Sequence, residues 1–85
     1  ADVLAAVRSE KPDVILLDVH LGPQSGLDIL DGIRNSQDTS ATRVVMSSGS
    51  NVKEECIHRG AFGFLLKPYM PDELITILKQ AIKAS

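Results

Sequence analysis

Two hydrophobic periods alternate along this chain. In "DVLAAVRSE", Val3, Leu4, Ala6 and Val7 recur at helical spacing, with Asp2 placed to cap the segment and Pro12 to stop it. "VILLD" then runs unbroken, the pattern of a strand buried on both faces. "SGLDILDGIRNS" returns to helical spacing through Leu27, Leu30 and Ile33, and Ser25 with Asp28 forms a capping-box pattern. "RVVMSSG" predicts a second buried strand. "NVKEECIHRG" predicts a short helix, with Asn51 and Glu54 at its start and Gly60 at its end. "FGFLLKP" predicts a third strand. "PDELITILKQAIKAS" is the clearest helix. Pro71 suits its first turn, Asp72 and Glu73 its positive end, and Lys79 and Lys83 its negative end. Its buried stripe is predicted as Leu74, Ile77, Leu78, Ala81 and Ile82.

The resulting order, α-β-α-β-α-β-α, argues a parallel sheet with helices on both faces, joined by right-handed crossovers. Ligands of such sheets sit outside the carboxyl ends of the strands. The three predicted strands end in Asp18, Ser48 and Lys67, so parallel pairing brings all three to one edge. A carboxylate, a hydroxyl and an ammonium there suit the holding of a phosphoryl group. The carboxylate can attack phosphorus and become an acyl phosphate. The hydroxyl can bond one phosphoryl oxygen and the ammonium can neutralise another. A hard cation such as Mg²⁺ would bridge carboxylate and phosphoryl.

Bulk properties narrow the alternatives. With 85 residues the chain holds one small domain, and an apolar share of 44% is that of a globular protein. Nine basic against eleven acidic residues, a net charge of −2, leave no electrostatic footprint for nucleic acid or for an anionic membrane. No apolar run approaches a membrane span, and no signal-peptide pattern opens the chain. A cytoplasmic setting is expected. Cys56 is the single cysteine, which excludes an internal disulfide and a cysteine metal cage. It reads as a half-buried structural thiol, while Lys53, Glu54, Glu55 and Arg59 read as a solvated face. His58 reads as a helix-end residue, and the His20 side chain as a solvated loop residue.

The pieces "DVILLDVHLGPQSGLDIL", "RVVMSSGS" and "GAFGFLLKPYMPDEL" resemble the receiver domain of two-component response regulators, in order and with that family's spacing. Asp18 is followed eight residues later by Gly26, Ser48 precedes the small Gly49, and the pair Lys67–Pro68 follows Phe64 by three. The resemblance implies a flavodoxin-like, doubly wound parallel sheet, present here as a three-stranded portion. It implies that a sensor histidine kinase, a phosphotransfer protein or a small phosphodonor loads Asp18. Ser48 and Lys67 would bind the phosphoryl, and Phe64 would swing inward once Ser48 is drawn to it. Asp18 and the backbone carbonyl of His20 would be Mg²⁺ ligands. A cis Lys67–Pro68 peptide is implied as well. The acidic pair that ends the family's first strand has no counterpart, because the match begins at the family's second helix, and Pro23 lies one place later than the family's usual proline. Residues 1–85 are therefore expected to be a partial receiver domain, "ADVLAAV" opening inside an element. The strand at residues 14–17 is expected to form a free edge. That edge, or the face of residues 52–84, offers a dimerisation surface.

Two other readings compete. A haloacid-dehalogenase-like phosphatase also uses Asp, Ser or Thr, and Lys at strand ends, but needs a second Asp two residues after the nucleophile, where this chain has His20. A receiver-like interaction module that is never phosphorylated would explain the missing acidic pair. Acetyl phosphate with Mg²⁺ separates the three.

Overall fold

The computed structural model describes residues 3–21 and 24–83, so the expected Asp2 cap and the Pro23 loop position lie outside the described residues. Helix α1 (Val3–Glu10) precedes strand β1 (Val14–Asp18). A short pair, β2 (His20–Leu21) and β3 (Gln24–Ser25), leads into helix α2 (Gly26–Asn35). Then follow β4 (Arg43–Ser48), α3 (Lys53–His58), β5 (Gly63–Leu66) and α4 (Pro71–Lys83). Among the described residues β1, β4 and β5 form one parallel sheet in that order, with β4 in the centre. The register sets Asp18 beside Ser47, and Ser48 beside Leu66.

Strand alternation sorts the side chains into two layers. One face carries Leu17, Val44 and Met46, packed with Val7, Leu30, Ile33 and Cys56 into the main cluster, with Phe64 against it. The other face carries Val45 and Leu65, both buried yet outside that cluster. Helix α4 covers this second face, and a Cβ on Gly63 would run into Ile77. A side chain at position 63 would oblige the end of the Ile77 side chain to shift.

Several local expectations meet a different outcome. Strand β1 is not buried on both faces: Leu16 is 41% exposed, because β1 is an edge strand with a single neighbour among the described residues. Ile82 lies off the buried stripe of α4 at 52% exposure, and Ala6 is exposed on α1. Cys56 is fully rather than half buried. Val52, not Asn51, occupies the N-cap position of α3 and makes no side-chain cap; the Asn51 side chain instead accepts from the Lys53 N–H at 3.3 Å. Arg59 is more than solvated, since it joins Asp31 on α2 and Glu55 on its own turn, each at 2.9 Å. Ser25 does cap α2, accepting from the Leu27 N–H at 3.2 Å.

Candidate functional site

Asp18 closes β1 and Lys67 follows β5, so the central strand lies between them. Their side chains nevertheless meet: the Lys67 ammonium donates to Asp18 Oδ2. The second carboxylate oxygen, Oδ1, accepts from the His20 backbone N–H at 2.9 Å. Both oxygens thus have donors, while the side chain remains 29% exposed and open to a reactant. The lysine hydrogen bond, then the His20 N–H, hold the Asp18 carboxyl below the usual carboxylate range. It is an anion at neutral pH, as a nucleophilic carboxylate must be.

The main chain fixes these positions. The Val19 N–H donates to the Ser47 carbonyl and the Lys67 N–H to the Ser48 carbonyl, both at 2.8 Å. The Lys67–Pro68 peptide is cis. Gly26 closes the turn after Asp18, its N–H donating to the Val19 carbonyl at 2.6 Å. A Cβ at residue 26 would collide with the Asp18 carbonyl oxygen and lie 2.8 Å from Val19 Cα. The spacing of Asp18 and Gly26 therefore has a steric cause.

The remaining sequence candidates are near but not all in contact. Ser48 ends β4, is 1% exposed, and its hydroxyl accepts from the Ser50 N–H at 3.1 Å. Alternation puts it on the face of Met46 and Phe64, away from the face of Lys67. Phe64 is half-buried there. His20 meets Asp18 through its backbone N–H, and its side chain is exposed. Ser47 was not a sequence candidate. Its neighbourhood with Asp18 is a matter of register, which only the pairing of β1 with β4 reveals.

Mg²⁺ demands a near-octahedral oxygen set. Among the described residues no three acidic, histidine or cysteine side chains converge to hold a metal ion. Asp18 with one backbone carbonyl falls short of that set. Among the described residues no helix is long and apolar enough to cross a membrane.

The sequence profile described as the response regulator receiver domain matches residues 1–79. The chain is 40% identical over 77 residues to the nitrate/nitrite response regulator protein NarL of Escherichia coli, covering 87% of this chain and 35% of that protein. It is 34% identical over 83 residues to the DNA-binding transcriptional regulator NtrC of Proteus hauseri, covering 95% of this chain and 17% of that one. The crystal structure of the receiver domain of NtrX from Brucella abortus superposes with a TM-score of 0.85 at 33% identity, over 96% of this chain and 71% of that chain. The chain thus spans well under half the length of the curated relatives it matches.

Proposed function

Because this chain belongs to the response regulator receiver domain family, we propose that Asp18 is its phosphoacceptor and that residues 1–85 form part of a receiver domain. Receiver domains of this family are generally signalling modules rather than enzymes. The observation that carries the assignment is the Asp18 carboxylate held ionised between the Lys67 ammonium and the His20 N–H at the carboxyl edge of the sheet.

The donor is a phosphohistidine on a sensor kinase or phosphotransfer protein, in the cytoplasm, or a small acyl phosphate. An Asp18 oxygen forms a bond to phosphorus as the bond to the donor's nitrogen or oxygen breaks, leaving an acyl phosphate. Lys67 turns from the carboxylate to a phosphoryl oxygen. Ser48 donates to another, and Phe64, on the same face as Ser48, moves into the space it leaves. Mg²⁺ serves this chemistry in the family; from this chain Asp18 and the His20 carbonyl would contribute to its binding. Exposed Ile57, Leu66, Met70 and Ile75 are apolar positions within residues 52–84 where a partner or second copy would dock. The edge at residues 14–17 is the other such surface.

Incubation with acetyl phosphate and Mg²⁺ tests the acceptor. The mass should rise by one phosphoryl group, and Asp18→Asn should take none. Label that persists in Asp18→Asn defeats the assignment. A second reading, an interaction module that is never phosphorylated, draws on the incomplete metal set among the described residues; it gains if the unsubstituted protein stays unlabelled. Turnover of a phosphate ester instead would mark a phosphatase.

A further inference from the structure

We propose that Ser47 is a second hydroxyl of the phosphoryl site, donating to a phosphoryl oxygen from the Lys67 side while Ser48 serves the Phe64 side. The inference rests on Asp18 as phosphoacceptor and extends it to a residue that the family's sequence pattern does not single out here.

Strand β4 ends in two serines, both buried, Ser47 at 3% and Ser48 at 1% exposure. Consecutive residues of a strand point to opposite faces. Met46 belongs to the main cluster, so Ser48 shares its face and Ser47 takes the other, with Val45 and Leu65. Asp18 follows Leu17, a member of the main cluster, so Asp18 also points to the Ser47 face. In-register neighbours of a parallel pair stand side by side, and Ser47 is the register partner of Asp18. On β5 its partner is Leu65, and Lys67 lies two residues further along the same face. Ser47 therefore sits on the central strand, between the strand that carries the nucleophile and the strand that carries the ammonium.

The chemistry of the position is out of place for a core residue. Its neighbours along and across the face, Val45 and Leu65, are apolar and buried. The Ser47 carbonyl is taken by the Val19 N–H, but among the described residues no hydrogen bond engages its hydroxyl. Among the described residues it is not one of the side-chain polar atoms buried without a partner, so the Ser47 hydroxyl keeps access to water at the rim of the sheet. A phosphoryl on Asp18 would bring new acceptor oxygens to this rim. A hydroxyl at that rim exchanges water for a phosphoryl oxygen as the acyl phosphate forms, which is when a hydrogen bond speeds transfer.

The test is the rate of phosphoryl loading from acetyl phosphate with Mg²⁺, followed by mass, in the unsubstituted protein and in Ser47→Ala, Ser47→Cys and Ser47→Thr. Ser47→Ala should load about tenfold more slowly, the effect of one lost hydrogen bond at the transition state. Ser47→Cys, close in volume but a weak donor, should match it, and Ser47→Thr should restore the rate to within about twofold. The acetyl phosphate concentration for half-maximal rate should stay unchanged, and thermal unfolding should show Ala and Cys folded and close in stability to the unsubstituted protein. If Ala and Cys load as fast as the unsubstituted protein, Ser47 is only a core residue and the inference fails while Asp18 stands. If the unsubstituted protein never loads, the phosphoacceptor reading fails and this one with it.

Discussion

Replacing Gly26 with alanine adds a single methyl group at the tightest turn of the site. Built on the backbone, that methyl would collide with the Asp18 carbonyl oxygen and stand 2.9 Å from the Asp18 carbonyl carbon and 2.8 Å from Val19 Cα. All three are main-chain atoms, so no rotamer change relieves the overlap. The strand must move away from α2, which also lengthens the 2.6 Å bond from the Gly26 N–H to the Val19 carbonyl. Overpacking of this kind costs roughly 1–3 kcal/mol, and the weakened buried hydrogen bond about 1 kcal/mol more. The gain from alanine's better helix propensity offsets at most ~1 kcal/mol. A net loss of about 2 kcal/mol lowers the melting temperature of a domain this size by roughly 10 °C. Gly32→Ala is the internal control: it sits within α2, and its new methyl would meet only Leu4 Cδ2 at 3.6 Å, an ordinary contact. That variant should be stabilised by about 0.5–1 kcal/mol. Thermal unfolding followed by far-ultraviolet circular dichroism, with urea unfolding as a second measure, reads both. If Gly26→Ala melts within about 2 °C of the unsubstituted protein, the turn is more yielding than its contacts indicate and the steric account of the Asp18–Gly26 spacing is wrong.

Lys67→Ala should change the acid limb of stability. The folded Asp18 carboxyl lies below its unfolded value of about 3.9, so its contribution is full above that value and is lost as pH falls through the folded value. Removing the lysine should shrink the part of the stability–pH slope that lies below about pH 4; an unchanged profile would show that Lys67 does not hold the carboxylate in solution. Cys56 should resist thiol reagents, since burial hides the thiol and pushes its pKa up. Modification by a disulfide reagent should proceed only as fast as the protein opens, and rapid stoichiometric reaction in native buffer would contradict its place in the core.

Much of this architecture can be read from residue order because its signals are local. The unbroken run of Val14 to Leu17, the phrase before Lys67 and the Pro71 start of α4 each declare an element within a few residues. The three strand ends follow from parallel pairing, and with them the meeting of Asp18 and Lys67. Features that depend on partners distant in sequence could not be read this way. Leu16 has the same apolar character as Leu17, yet Leu16 is exposed and Leu17 is buried in the main cluster. Ile82 keeps the helical period of α4 but is exposed. The β2–β3 pair is two residues to a side, too short for any periodicity to register. Arg59 finds Asp31 only because α3 packs beside α2. Ser47 is one more residue of a buried strand by sequence and the neighbour of Asp18 by register.

The central strand also decides what this site can tolerate over evolutionary time. The residue after the nucleophile hangs on the Ser47 carbonyl, and the lysine itself hangs on the Ser48 carbonyl. These are adjacent peptide units, so the gap between carboxylate and ammonium is measured off by main-chain atoms and owes nothing to the side chains of β4. Point mutations along Arg43–Met46 can therefore drift without altering that gap, provided they still fill the core. The insertion or deletion of one residue there has no such latitude. It would slide both anchors along the strand and turn every side chain of β4 to the opposite face, separating the charge pair in one step. Length, rather than composition, is the heritable property that β4 protects.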